Sequence, residues 1–205
     1  IYMSLSGQWG LFNKNWFMSV TMIFGSFIAG ASSEGGGAVA FPVMTLIFNI
    51  EPPTARNFSL AIQSIGMTAA SYMILKNRFP VEFRYLIPVS IGGVIGMVLG
   101  TLYLVPLIPG PFVKMLFVSF WLSFGLVLFY INHIYKRKVR DQLPGLSIAE
   151  KVSLVIVGFL GSTLSALLGS GIDIFSFSYV TMRYHLSEKV ATPTSVIIMA
   201  INSVV

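Results

Sequence analysis

Two glycine-rich segments interrupt apolar sequence, and their residue types suit the binding of a solute by backbone groups. The first runs from Ala31 to Pro42 (ASSEGGGAVAFP), and a looser copy runs from Ala166 to Ser176 (ALLGSGIDIFS). Glycine-broken apolar segments at corresponding places in two halves of a chain point to a midplane binding site in secondary transporters, because broken helices expose their backbone groups. The alternative is that the glycines only let neighbouring helices approach closely.

The two turns are predicted to place helix N-termini and polar side chains around a small anion. An anion entering a membrane loses water, and helix N-termini replace that water with amide donors that glycine leaves accessible. For any one flanking hydroxyl or amide side chain, a hydrogen bond between helices is the alternative role. The predicted solute-binding residues are Gly35, Gly36, Gly37, Asn57, Ser59, Gln63, Gly169, Ser170, Gly171, Thr194 and Ser195. Further candidates by position are Ser32, Ser33, Ser64, Thr192 and Asn202.

Two acidic residues, Glu34 and Asp173, lie within otherwise apolar runs and flank the glycine turns. An ionisable group inside a membrane is a functional candidate because its burial is costly. A carboxylate beside an anion repels it unless the carboxyl is protonated, so protonation would tie solute movement to a proton. We predict proton coupling through these two residues; the alternative is a cap near the membrane surface.

Composition places the chain in a membrane. The mean hydropathy is +0.83, with 55% hydrophobic and 10% charged residues, against roughly 25% charged residues in soluble domains. The absence of cysteine excludes disulfides, thiolate metal sites and thiol nucleophiles, and we predict no metal and no cofactor. The pI is near 9.7, but the basic residues occupy short loops, so we predict a lipid bilayer as partner and no nucleic acid.

The chain is predicted to be all-α, a polytopic membrane bundle with inverted repeats and short, glycine-broken helices. Proline and glycine punctuation divides it into eight helices, with boundaries good to about two to four residues. The predicted spans are 15–33, 37–49, 54–75, 84–105, 111–132, 148–168, 172–183 and 189 onward. The segments 37–49 and 172–183 are near 18 Å long, too short for a core of about 30 Å, and are expected to be half-helices or hairpin arms. Their depth in the membrane is left open.

Loop charges orient the bundle. Ten basic residues fall in connections assigned to the cytoplasm, and Lys14, Arg56 and Lys114 fall on the other side, as the positive-inside rule requires. Five helical segments separate the two glycine-turn units, so the units are predicted to be inverted. We predict a first repeat at 1–134, a basic cytoplasmic loop at 135–147 and a second repeat at 148–205. The second repeat is shorter than the first and is expected to be completed beyond residue 205 or by another copy of the chain. A homo-oligomer therefore stays open.

The motifs resemble those of the TauE/SafE family of sulfite and organosulfonate exporters. The resemblance rests on EGGGAVAFP at 34–42, ARNFSL at 55–60, the glycines at 169 and 171, and ATPTS at 191–195. Two positions depart from the family pattern: Phe58 replaces a threonine, and Ser176 stands where the first copy has Pro42. The resemblance implies an exporter of a small sulfur-containing anion, without selecting the solute. We predict a multi-pass protein of the plasma membrane, with an organelle membrane left open.

The sequence therefore predicts a secondary transporter that exports sulfite or an organosulfonate by alternating access, with proton coupling as an added expectation. A passive anion channel is the alternative, since half-helix dipoles also serve channels. We predict no enzymatic activity and no catalytic residues. An intramembrane aspartyl protease is rejected because Ile172 separates the glycine from Asp173.

Overall fold

The computed structural model describes residues 7, 9, 10, 13, 15–31, 34–134 and 139–205, and this part of the chain is helical with no strand. For these described residues, the prediction of an all-α chain with eight helices is confirmed. In chain order the helices are α1 (Trp16–Ala31), α2 (Gly37–Pro42, continued by a π turn at Val43–Ile47), α3 (Pro52–Lys76), α4 (Phe83–Leu99, continued by a π turn at Gly100–Leu104), α5 (Gly110–Phe129, continued by a π turn at Tyr130–Ile134), α6 (Ile148–Leu168), α7 (Ile172–Arg183) and α8 (Glu188–Val204).

Helix boundaries differ from the predicted ones by a few residues. The start of α3 is at Pro52 rather than at residue 54, because proline fits the first helical turn, where its missing N–H has no partner to lose. The last two residues predicted for the first helix, Ser32 and Ser33, lie outside the described residues.

Four helices in the described part of the chain are long and apolar enough to cross a membrane: Pro52–Lys76, Phe83–Leu104, Gly110–Phe129 and Ile148–Leu168. The outer face of α5 exposes a continuous apolar stripe of Phe112, Met115, Val118, Leu122, Leu126 and Phe129. Soluble monomers seldom expose apolar patches of this size, whereas lipid chains accommodate them. The chain is an integral membrane protein.

Helices α4 and α6 pack side by side with their backbones in contact. A side chain at Gly92 would overlap Val155, one at Gly96 would overlap Phe159, and one at Gly158 would overlap Val89. Gly96 lies four residues after Gly92 on α4, and its partner Phe159 lies four residues after Val155 on α6. The two helices are therefore parallel. Small residues allow this close approach in membranes.

Three connections meet at the end of the bundle where α4, α6 and α8 begin, which we call the basic end. The amide of Leu143 donates to Glu82 Oε2 at 3.1 Å. The amide of Arg140 donates to His185 O at 2.9 Å, and the amide of Ser187 donates to Arg140 O at 2.7 Å. These bonds join the connections that precede α4, α6 and α8.

Seven of the nine described Lys and Arg residues lie at the basic end: Lys76, Arg78, Arg84, Arg140, Lys151, Arg183 and Lys189. Arg56 and Lys114 lie at the opposite end. Lys14, Lys136, Arg137 and Lys138 lie outside the described residues. This segregation agrees with the loop charges assigned from the sequence.

Helices α2 and α7 run towards opposite ends of the bundle. The Nζ of Lys114, at the start of α5, donates to Thr45 O near the end of α2 at 3.0 Å, which places that end opposite the basic end. The end of α7 is at Arg183, beside the connections of the basic end. Helix α2 packs against α1 and α3, as α7 packs against α6 and α8. The division of the chain into repeats at residues 134 and 148 stays a prediction.

We expect Gly158→Ala to lower the melting temperature of the detergent-solubilised protein. The new methyl group would overlap the carbonyl of Val89, and overpacking of this kind costs about 1–3 kcal/mol. Gly125→Ala is the matched control, because no heavy atom lies within 4 Å of its added carbon and alanine favours a helix over glycine. Equal melting temperatures for the two variants would contradict the close packing of α4 and α6.

Candidate functional site

The two glycine turns meet inside the bundle. The amide of Gly35, in the first turn, donates to Asp173 Oδ2, in the second, at 3.3 Å. The first turn lies against Gln63, halfway along α3, and Ile172 lies against Gly93, halfway along α4. The first turn therefore lies halfway along α3, whereas the second turn extends from Gly169, beside Arg56 near the start of α3, to Ile172, beside the middle of α4.

Gln63 holds the first turn to the second. Its Nε2 donates to Gly169 O at 2.7 Å, and a side chain at Gly35 or Gly37 would overlap its amide group. Gln63 is 1% exposed, and its Oε1 has no hydrogen-bond partner among the described residues. Glycine is therefore required in the first turn by the close approach of this side chain.

Asp173 occupies the N-terminus of α7. Its fully buried carboxylate accepts from the amide of Gly171 at 3.1 Å and from Ser170 Oγ at 3.4 Å, besides the amide of Gly35. The amide of Ile172 donates to Ser165 Oγ at 2.7 Å. The amide donors predicted to bind a solute at the second turn thus already have partners within the chain. An anion reaching the Gly171 amide must displace Asp173, and one reaching the Ile172 amide must displace Ser165 Oγ.

Gly169 ends α6 in a conformation suited to glycine. Its φ of 77° lies in the left-handed region, and its amide donates to Ser165 O at 2.8 Å. A side chain here would also meet Ser59 Cβ at 2.9 Å and Arg56 O at 3.0 Å. Both the backbone angle and the approach of α3 therefore exclude a larger residue.

The contacts between the turns are reciprocal. Gln63, from the first half of the chain, reaches the second turn, and Asp173, from the second half, reaches the first. We call this group the turn junction: Gly35, Gly36, Gly37, Ser59, Gln63, Gly169, Ser170, Gly171 and Asp173. Glu34 lies within electrostatic range of Asp173, so two carboxyl groups flank the junction.

A cavity of about 260 Å³ adjoins the turn junction between α1 and α3. Gly36 and Gln63 form part of its wall, with Met22, Ser26, Ile62 and Met67. One water occupies roughly 30 Å³ of liquid. The cavity is therefore large enough to hold a solute with a handful of heavy atoms. No Lys, Arg or His is among the described residues of its wall, so backbone dipoles are the local source of positive potential.

Some predicted site residues lie away from the turn junction. Asn57 is exposed, and its Oδ1 accepts from Arg56 Nη2 at 2.7 Å. Thr194 is at the basic end, where its hydroxyl accepts from the amide of Glu82 at 3.1 Å. Ser195 is buried and donates to Thr192 O at 3.0 Å within its own helix.

Two of the further candidates, Asn202 and Ser64, also have local hydrogen-bond partners. Asn202 accepts from Ser162 Oγ at 2.6 Å, and Ser64 donates to Ala61 O at 2.8 Å. Ser32 and Ser33 lie outside the described residues. Within the described part of the chain, no group of three or more His, Cys, Asp or Glu is placed to hold a metal ion.

The sequence analysis missed Ser165, whose hydroxyl accepts the Ile172 amide. Ser165 lies one helical turn before Gly169, the glycine that ends α6. A hydroxyl at such a position can be predicted to accept from an amide at the start of the next helix, because the chain turns back towards it. Met22, which lies against Gly36, carried no comparable signal.

A family model described as Sulfite exporter TauE/SafE matches residues 18–205. The match covers nearly the whole chain, including both glycine turns. Neither the curated proteins nor the solved structures contain a match.

We expect Gly37→Ala to destabilise the protein strongly on its own and much less in a Gln63→Ala background. The added methyl group would overlap Gln63 Nε2, and shortening Gln63 removes that overlap. Thermal unfolding of both single variants and of the double variant should give a coupling energy of about 1–3 kcal/mol.

Gly66→Ala provides the control for this cycle. It lies on the same helix as Gln63 with no heavy atom within 4 Å of its added carbon, so its effect should be the same in both backgrounds. Additive effects of Gly37→Ala and Gln63→Ala would contradict the contact between the first turn and Gln63.

Proposed function

Because the chain belongs to the sulfite exporter TauE/SafE family, we propose that it is a secondary transporter that exports sulfite or an organosulfonate across the plasma membrane. The observation that carries the proposal is the turn junction, where two broken helices bring backbone groups together inside the bundle. Such a junction is where secondary transporters of inverted-repeat design bind their solutes.

The cavity beside the first turn is the proposed entry point for the anion. Gly36 forms part of its wall and lies at the N-terminus of α2, where amide groups and the helix dipole favour negative oxygens. The absence of a side chain on Gly36 and Gly37 lets an anion approach the backbone itself. The solute would then lie against Gln63, which borders both the cavity and the second turn.

Asp173 is proposed to couple the solute to a proton. Its ionised carboxylate holds the amides of Gly35 and Gly171, and it repels any anion that enters beside it. Glu34 is the charged group that faces it from the first turn. Protonation of Asp173 would remove one negative charge and weaken its hold on these amides, which would free them for the oxygens of the solute. Proton binding and anion binding would therefore favour each other.

Alternating access is proposed to involve the bonds of the turn junction. The bonds from Gln63 to Gly169 and from Gly35 to Asp173 join the first half of the chain to the second. Helices α2 and α7 lead from this junction towards opposite ends of the bundle. Movement of one short helix away from the junction would therefore open a path from the junction to one end of the bundle at a time.

The transport experiment is flux of labelled sulfite, sulfoacetate and taurine into proteoliposomes of the complete protein, with and without an imposed pH gradient. We expect saturable, gradient-sensitive flux of one anion, since a carrier must cycle around a bound solute. Current that rises without saturation would favour a passive anion channel, and the absence of flux for all three would contradict the proposed solute class.

Asp173→Asn is expected to remove the response of flux to the pH gradient, because an amide keeps acceptor and donor atoms at this position but cannot take up a proton. Glu34→Gln should change the same profile less, since Glu34 is only partly buried. Glu51→Gln, an exposed carboxylate at the opposite end, serves as the control and should leave the profile unchanged. A wild-type pH profile in both Asp173→Asn and Glu34→Gln would rule out carboxyl coupling.

A further inference from the structure

A second cavity lies on the outer surface of the bundle, away from the turn junction. It is a groove of about 500 Å³ between the first turns of α4 and α6. Its walls are apolar and are formed by Phe83, Ile87, Ile91, Leu146, Ile148 and Val152. Phe83, Ile87, Ile91, Ile148 and Val152 are each more than half exposed, so the groove faces the surrounding lipid.

Two cations line the same groove at its basic end. Arg84 lies in the first turn of α4, and Lys151 lies in the first turn of α6. The parallel packing of α4 and α6 brings these two turns to the same level, so both positive charges lie where the apolar groove reaches the membrane surface.

The nearby acidic groups leave the guanidinium of Arg84 accessible. Glu82 approaches Arg84 Nε at 3.6 Å, but the Arg84 side chain is 59% exposed. The carboxylate of Glu82 is turned towards backbone donors, the amides of Leu143 and Arg84. Glu150 accepts from the amide and hydroxyl of Ser147 at the start of α6. Both carboxylates are therefore engaged by the helix starts that they cap.

We infer that this groove binds an anionic phospholipid, with the phosphate against Arg84 and Lys151 and an acyl chain along Ile87, Ile91 and Val152. Basic side chains at the membrane surface attract anionic headgroups, and basic pockets between helices on this side of a membrane are suited to them. An apolar wall continuous with the cations distinguishes this site from a site for free phosphate, which would gain nothing from the wall. The inference does not depend on the proposed transport function.

The test is native mass spectrometry of the purified full chain in mixed micelles of phosphatidylglycerol and phosphatidylcholine. We expect wild-type protein to retain phosphatidylglycerol preferentially. Arg84→Gln and Lys151→Gln should each reduce that preference about fivefold, from roughly 1 kcal/mol for each cation near an anionic surface. Arg84→Lys combined with Lys151→Arg should keep the preference.

Lys76→Gln is the matched control, because Lys76 lies at the same end on α3, where its Nζ is over the Tyr72 ring, and does not line the groove. It should retain wild-type lipid preference. Equal retention of the two lipids by wild type, or equal losses in Lys76→Gln and in the groove variants, would overturn the assignment.

The occupant can be checked separately because the chain has no cysteine. Ile87→Cys in native membranes should stay monomeric under mild oxidation if lipid fills the groove. Efficient disulfide-linked dimers would identify a second copy of the chain as the occupant and would overturn the lipid assignment.

Discussion

The structure depends on satisfying backbone groups where two helices break inside an apolar bundle. A membrane offers no water to unpaired amides and carbonyls, so irregular backbone persists there only where the protein supplies partners. Gln63 supplies a donor for Gly169 O, and Asp173 supplies acceptors for the amides of Gly35 and Gly171. These two side chains allow the chain to turn back twice inside the bundle without leaving the second turn unsatisfied.

The same constraint explains why glycine occurs where it does. Gly35 and Gly37 leave space for the amide of Gln63, and Gly169 leaves space for the backbone of α3. The glycines of α4 and α6 serve a different purpose, because they bring two long helices into backbone contact and so fix the frame around the turns. Helices α4 and α6 are therefore packed closely together, whereas the polar groups lie where the short helices α2 and α7 begin.

The basic end and the turn junction differ in the charged groups that they contain. The basic residues gather at one end, where membrane orientation and lipid headgroups act on them, whereas the turn junction and its cavity contain carboxyl groups and helix N-termini. An anion at the junction would therefore be held by dipoles rather than by a fixed cation.

The helical class, the membrane setting, the eight helices of the described residues and the two glycine turns could be predicted from the sequence, because hydropathy and the positions of proline and glycine act locally along the chain. The sequence also identified Gln63, Ser59 and Asp173, which do meet at the junction. The packing of the helices was needed to show that Asn57 and Thr194 lie elsewhere. It was also needed to show that Ser165 and Asp173 already accept from amides that were expected to bind a solute. The reason is that a helical repeat tells which residues share a face, but the neighbour of that face depends on how distant helices pack.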